Sequence, residues 1–243
     1  DMWVMKWAEL LQVRTIANRV EKKPMLAYYN WLKDRIASNT PTDKMVQELL
    51  GARGGSFSSP ATNYYQTETE TLKVAENVAQ VFMGMRMQCA QCHNHPFDRW
   101  KQGQFWSLAA FYSGFSPMDA ESGMRMAMTE RSDSHSIEIP DKGQTVQAAF
   151  LEGEQPEWSG RRSSREVLAD WVTSPRNPWF SRMAANRVWA LFMGQGIVHP
   201  VDDFSENNPA SHPEVLQLLA DQLVAHEFDL KFLVRTITAS RVY

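Results

Sequence analysis

The chain has 243 residues and a formal net charge of −3, and this length allows one large domain or two modest ones. Because there is no basic excess, neither nucleic acid nor an anionic membrane surface is expected as a partner. No run of about eighteen apolar residues is present, so no transmembrane segment is predicted in this chain.

The two ends of the chain indicate a piece of a longer protein. An amphipathic run that includes Trp3 and Trp7 opens the chain, and Tyr243 closes it directly after a helical pattern. The amino terminus lacks the charged and then apolar pattern of a signal peptide. We therefore expect further sequence on both sides and an export signal that has already been removed.

Residues 1–115 form the first predicted domain, in which apolar residues recur at the helical spacing of three and four. A capping box at Thr67 and Glu70 predicts the start of a helix that runs towards Cys89. Another helical pattern begins near Phe105 and continues to Tyr112. The cysteine segment is therefore predicted to lie on a connection between two helices.

Residues 116–159 lose this periodicity and form a predicted irregular connection, with a hint of strand at residues 136–139. Residues 160–243 form a predicted helical bundle domain that is truncated at its C-terminal end. Its helix starts are predicted at Ser163 with Glu166, at Pro178, at Ser211 with Glu214 and after Asp229. The expected fold is mainly α, with two helical parts, a long irregular connection and little β structure.

The main chemical signal is the motif Cys89-Ala90-Gln91-Cys92-His93, which contains both cysteines of the chain. In Cys-x-x-Cys-His, the two thiols can add to the vinyl groups of haem and the imidazole can bind the iron. The motif therefore predicts one covalently attached haem c, with His93 as the proximal iron ligand.

Three other readings of the motif stay open. A thioredoxin-like thiol pair expects a βαβ setting, but a long helical pattern precedes Cys89. A zinc site could use Cys89, Cys92, His93 and His95, although four ligands within seven residues would be strained. A disulfide between Cys89 and Cys92 would close a very small loop and stabilise little.

Residues around the motif supply candidate contacts for the haem. Arg86, Arg99 and Trp100 are candidates for pairing with the haem propionates, because a guanidinium is suited to carboxylates; a surface salt bridge is the alternative for the arginines. His95 is too close to His93 to reach the opposite haem face, so a supporting hydrogen bond or a turn before Pro96 is expected for it.

The sixth iron ligand would come from another histidine or from one of thirteen methionines. Sequence alone does not choose among them. Met83, Met85 and Met87 precede the motif at a spacing that is more typical of core residues. No nucleotide-binding or hydrolase motif is present, and the pair Asp202-Asp203 is interpreted as a helix cap.

The motif also lies within a longer family pattern. The run from Met87 to Trp100, followed by Leu108-Ala109-Ala110-Phe111, resembles the planctomycete cytochrome-like domain, a secreted family of unknown function. The second part of the chain resembles the usual C-terminal companion of that family, which is also of unknown function. The segments that carry this resemblance are Leu168-Ala169-Asp170-Trp171, Asn186-Arg187-Val188-Trp189, the run from Gly196 to Phe204, Pro209-Ala210-Ser211-His212-Pro213-Glu214 and Phe228-Asp229-Leu230-Lys231.

This resemblance implies an exported haem protein without naming a reaction. Since c-type haem is attached outside the cytoplasm, a periplasmic or extracellular location is expected. The expected role is electron transfer with other redox proteins or haem subunits, in an oligomer or a larger multi-haem complex. The alternatives are a haem enzyme with an open iron position, acting on peroxide or polysaccharide, and a structural module stabilised by haem or metal.

Overall fold

The structure is a computed structural model that describes residues 2–116, 128–131, 133–140, 142–160 and 162–243. The α-helices are α1 (Met2–Leu10), α2 (Lys22–Ala37), α3 (Thr42–Leu50), α4 (Tyr64–Thr67), α5 (Thr71–Met83), α6 (Gln102–Ala109), α7 (Ser164–Val172), α8 (Pro178–Met193), α9 (Pro213–Ala225) and α10 (Leu230–Thr238), and short 3-10 helices cover Pro60–Asn63, Gln88–Gln91 and Ala110–Tyr112. The prediction of a mainly α fold is confirmed.

The strands are few and short. They are β1 (Phe115–Ser116), β2 (Thr129–Glu130), β3 (Ser136–Ile139) and β4 (Gln144–Gln147). β1 pairs antiparallel with β2, and β3 pairs antiparallel with β4. The strand hint at residues 136–139 is thus confirmed, whereas residues 117–127 of the predicted connection lie outside the described residues.

Three of the predicted helix starts are confirmed. The Ser163 hydroxyl accepts a hydrogen bond from the Glu166 amide, and the Glu166 carboxylate accepts one from the Ser163 amide, which completes a capping box. Pro178 is the first residue of α8, and the Asn177 side chain caps that helix. The Asp229 carboxylate accepts hydrogen bonds from the first turn of α10.

The capping boxes predicted at Thr67 and Ser211 are wrong. The Thr67 hydroxyl donates to the carbonyl oxygen of Gln12 at 3.3 Å, and the Ser211 hydroxyl donates to that of Ile197 at 3.0 Å. Both hydroxyls therefore make tertiary contacts, and α5 and α9 begin later than predicted, without a side-chain cap.

The two helical parts pack against each other around one continuous apolar core. Helix α5 contacts α8, and α3 contacts α7. Met83, Met85 and Met87 lie in this core and are at most 1% exposed, so their interpretation as core residues is confirmed. None of the helices in the described ranges is both long and apolar enough to cross a membrane.

A buried ion pair holds the connection against this core. The Arg165 guanidinium and the Glu130 carboxylate lie 2.7 Å apart, with 0% and 2% of their side chains exposed. Arg165 also donates hydrogen bonds to the carbonyl oxygens of Leu50 and Ala52, and it lies over the ring of Tyr65. This one side chain thus links α7, β2 and the end of α3.

Candidate functional site

The cysteine motif follows the end of α5. The helix ends at Gly84, whose φ of 71° lies in the left-handed region that favours glycine. A side chain at this position would also collide with the ring of Phe204 from the second helical part. The chain then enters the 3-10 helix Gln88–Gln91, which carries Cys89. The predicted helix-to-helix connection is confirmed.

Both cysteines present free thiols to solvent. Cys89 and Cys92 are exposed and not bonded to each other, which disfavours the disulfide interpretation. Between them Ala90 is fully buried, and its amide donates to the carbonyl oxygen of Met87 at 2.8 Å. The backbone of this turn is therefore anchored in the core, while the residues Cys89 and Cys92 on either side of Ala90 remain exposed.

The hydrogen bond made by His93 determines which ring nitrogen is free. His93 is exposed, and its Nδ1 lies 2.7 Å from the carbonyl oxygen of Asn94. Because a carbonyl oxygen only accepts hydrogen bonds, Nδ1 must carry the proton. In the neutral ring the lone pair is then on Nε2, so this nitrogen can bind a metal ion.

Two side chains of α6 donate hydrogen bonds to the backbone of the motif, and neither contact was predicted from the sequence. The Gln102 side-chain amide donates to the carbonyl oxygens of Gln91 at 3.1 Å and Cys92 at 2.9 Å. The Trp106 indole donates to the Gln91 carbonyl oxygen at 2.9 Å. Their spacing of four residues places both side chains on one face of α6, which is the signal that could have found them.

His95 closes the loop that follows the motif. Its amide donates to the carbonyl oxygen of Trp100 at 2.8 Å, and its Nδ1 accepts from the Phe97 amide at 3.3 Å. Nδ1 therefore carries the lone pair, the opposite tautomer from that of His93. These contacts fit the interpretation of His95 as a turn residue.

The geometry also disfavours a protein-built zinc site. Within the described part of the chain, no group of three or more His, Cys, Asp or Glu side chains is placed to hold a metal ion. A structural zinc site needs four such ligands.

Arg86 joins the motif segment to the second helical part. Its guanidinium lies 2.6 Å from Asp202, whose other carboxylate oxygen accepts from Gln80 at 2.6 Å. Burial alone would raise the pKa of Asp202, but the hydrogen bonds and the charge of Arg86 outweigh it and lower that pKa. The interpretation of Asp202 as a helix cap is therefore wrong, and Arg86 already has a carboxylate partner.

Arg99 and Trp100 lie on the other side of the loop. The Arg99 guanidinium is 3.6 Å from Glu152 and 4.7 Å from the centre of the Trp100 ring. Trp100 is only 3% exposed and packs edge-on against Trp179 of α8. Its Nε1 has no hydrogen-bond partner in the described ranges. The structure thus places Trp100 in the core and Arg99 at the surface.

Two other histidines make contacts of their own. His135 stacks on Trp158 with ring centres 3.7 Å apart, and its Nδ1 lies 2.8 Å from the Ser164 hydroxyl. His212 is exposed, with its Nδ1 3.1 Å from the Ser211 hydroxyl. None of these contacts involves the motif, so they indicate no sixth iron ligand.

Comparison with known proteins gives two family matches. Residues 1–116 match the model described as "Protein of unknown function (DUF1549)", and residues 164–243 match the one described as "Protein of unknown function (DUF1553)". No curated protein and no solved structure matches the chain. The chain therefore combines two planctomycete-type domains of unknown function, DUF1549 followed by DUF1553, in their usual order.

Proposed function

We propose that the chain is an exported c-type haem protein whose role is electron transfer. One observation carries this proposal: two free, exposed thiols and an imidazole with a free Nε2 share one braced turn. In this proposal, Cys89 and Cys92 form thioether bonds and His93 binds the iron. The resemblance of residues 87–100 to the cytochrome-like domain supports the same assignment.

The residues around the motif would hold these groups in position. Asn94 keeps the His93 ring in the tautomer that leaves Nε2 available. Gln102 and Trp106 restrain the backbone that carries the sulfur atoms. When bound, haem would supply one-electron chemistry, which the side chains of this site do not offer.

The exposure of the site fits exchange of electrons with a partner. Cys89, Cys92 and His93 are all exposed residues, so a group attached there would be accessible to another redox protein or haem subunit. Attachment of haem c takes place outside the cytoplasm, so the proposal includes a periplasmic or extracellular location. Arg99 has an exposed guanidinium beside the loop and is the candidate for contact with a propionate.

A second candidate function is a haem enzyme with an open iron position, acting on peroxide or polysaccharide. It is favoured by the burial of Met83, Met85 and Met87, because these nearby methionines face the core. His135 is likewise engaged with Trp158 and Ser164. A sixth ligand would then have to come from another part of the chain or from a partner, or the position would stay open.

Denaturing mass spectrometry of the protein purified from its native source tests the attachment. We expect a mass increase of one haem that survives denaturation. When the protein is produced with a haem-attachment system, this increase should be lost in the double variant Cys89→Ser/Cys92→Ser. An unmodified mass in the native protein would contradict the proposal and favour a thiol pair.

Visible spectra of the folded protein separate the two candidates. A low-spin spectrum in both redox states is expected for an electron carrier, whereas a high-spin spectrum that changes on addition of cyanide would indicate an open position. His93→Ala should abolish the axial signature of the proximal ligand. His212→Ala is the matched control, because the His212 ring is also exposed but its Nδ1 is paired with the Ser211 hydroxyl, away from the motif.

A further inference from the structure

A cavity lies between α1 and α8, and no residue of the cysteine motif lines it. Its volume is about 350 Å³, which is within the range of small-molecule sites. The walls are mostly apolar and include the indoles of Trp3 and Trp7 and the side chains of Leu10 and Leu191. Such walls can bury the apolar body of a small ligand.

Arg187 brings a positive charge into this apolar cavity. It lies on α8 and forms part of the cavity wall. Its Nε is buried and has no hydrogen-bond partner in the described ranges, and its Nη2 makes only a long contact of 3.4 Å with the carbonyl oxygen of Val81. A guanidinium offers five N–H donors, so the described protein groups satisfy only a small part of its capacity to donate.

The charge of Arg187 is also poorly compensated by the protein. Burial lowers the pKa of Arg187 to about 10, and the charge of Asp202 opposes this effect only in part. The oxygens of Asp202 already accept hydrogen bonds from Gln80 and Arg86. Arg187 is therefore a largely desolvated cation at neutral pH, and it has no direct ion pair in the described structure.

We propose that this cavity binds a small amphipathic carboxylate, with Arg187 as the residue that pairs with the carboxylate group. The apolar or aromatic body of the ligand would lie against Trp3 and Trp7. Lys6 and Glu9 are exposed on the same wall and carry opposite charges, so the charge that selects the ligand is that of Arg187. A half-buried guanidinium with a buried Nε, in a mostly apolar cavity, favours a monoanion over a multiply charged phosphate.

Calorimetric titration with two matched probes tests this site on the full chain. The probes are 3-phenylpropanoate and its neutral amide, 3-phenylpropanamide, which have nearly the same size and shape. We expect the carboxylate to bind at least about tenfold more tightly than the amide, because a charge-assisted hydrogen bond is stronger than a neutral one. Equal affinities, or no binding of the carboxylate at about 10 mM, would overturn the proposal.

Two arginine variants locate the binding. Arg187→Met should weaken carboxylate binding about tenfold and leave amide binding within about twofold. Arg182→Met is the matched control, since Arg182 lies on the same helix but pairs with Gln217 outside this cavity. Equal loss in both variants would contradict the assignment to Arg187. If Arg187→Met does not fold, the comparison of the two probes on the unaltered chain decides the question.

Discussion

The guanidinium of Arg86 and the carboxylate of Asp202 lie 2.6 Å apart, although 116 residues separate them in the sequence. Arg86 lies three residues before Cys89, and Asp202 belongs to the loop between α8 and α9. The second domain therefore fixes the segment that leads into the cysteine motif. We therefore expect substitutions in the loop between α8 and α9 to affect the cysteine motif, even when the cysteines themselves are unchanged.

Replacing Asp202 with asparagine should weaken this contact. Asp202→Asn removes a charge-assisted hydrogen bond from a half-buried side chain, so we expect a loss of about 1–2 kcal/mol in the free energy of unfolding. Chemical denaturation at neutral pH measures the loss. Asp203→Asn is the control, because it changes the neighbouring carboxylate and should alter stability by less than about 0.5 kcal/mol.

The contribution of Asp202 should also depend on pH. The folded-state pKa of Asp202 is lower than its ordinary value of 3.8, so the carboxylate stabilises the fold above that value. The stabilisation is lost as the pH falls through the folded-state pKa. We therefore expect the stability difference between the unaltered chain and Asp202→Asn to be complete at pH 6 and to shrink below about pH 4. An equal difference at pH 6 and pH 3 would contradict this assignment.

The buried pair of Arg165 and Glu130 should be sensitive to removal of either partner. Glu130→Gln leaves the Arg165 charge buried without its carboxylate, and the expected loss is about 3–5 kcal/mol. Thermal and chemical unfolding measure it. Asp170→Asn breaks the exposed pair of Asp170 with Arg162 and should cost less than about 1 kcal/mol. Similar losses in the two variants would show that burial does not determine how much each ion pair contributes to the free energy of unfolding.

The close approach of Phe204 to Gly84 gives a further test. Gly84→Ala places a side chain in the left-handed region and against the Phe204 ring, so we expect a loss of about 2–4 kcal/mol in stability. Gly143→Ala is the matched control, since Gly143 has a φ of 57° and open space around it. It should cost only the backbone term of about 1–2 kcal/mol. If both variants lose the same stability, contact with the Phe204 ring does not add to the cost of a side chain at position 84.

The sequence by itself determined the helical class, the caps at Ser163 and Asp229, and the place of the cysteine motif between two helices. These features depend on residues that are close together in the chain, so their spacing carries the information. The grouping of the two cysteines with His93 was predicted in the same way, because the three residues lie within five positions of one another in the sequence.

Only the tertiary structure decided which side chains surround the motif. The bracing by Gln102 and Trp106 depends on how α6 packs beside the turn, and the pairing of Arg86 with Asp202 depends on the packing of the two domains. The capping box predicted at Thr67 failed for the same reason. Local patterns compete with distant hydrogen-bond partners, and which partners come within reach is set by the packing of the core.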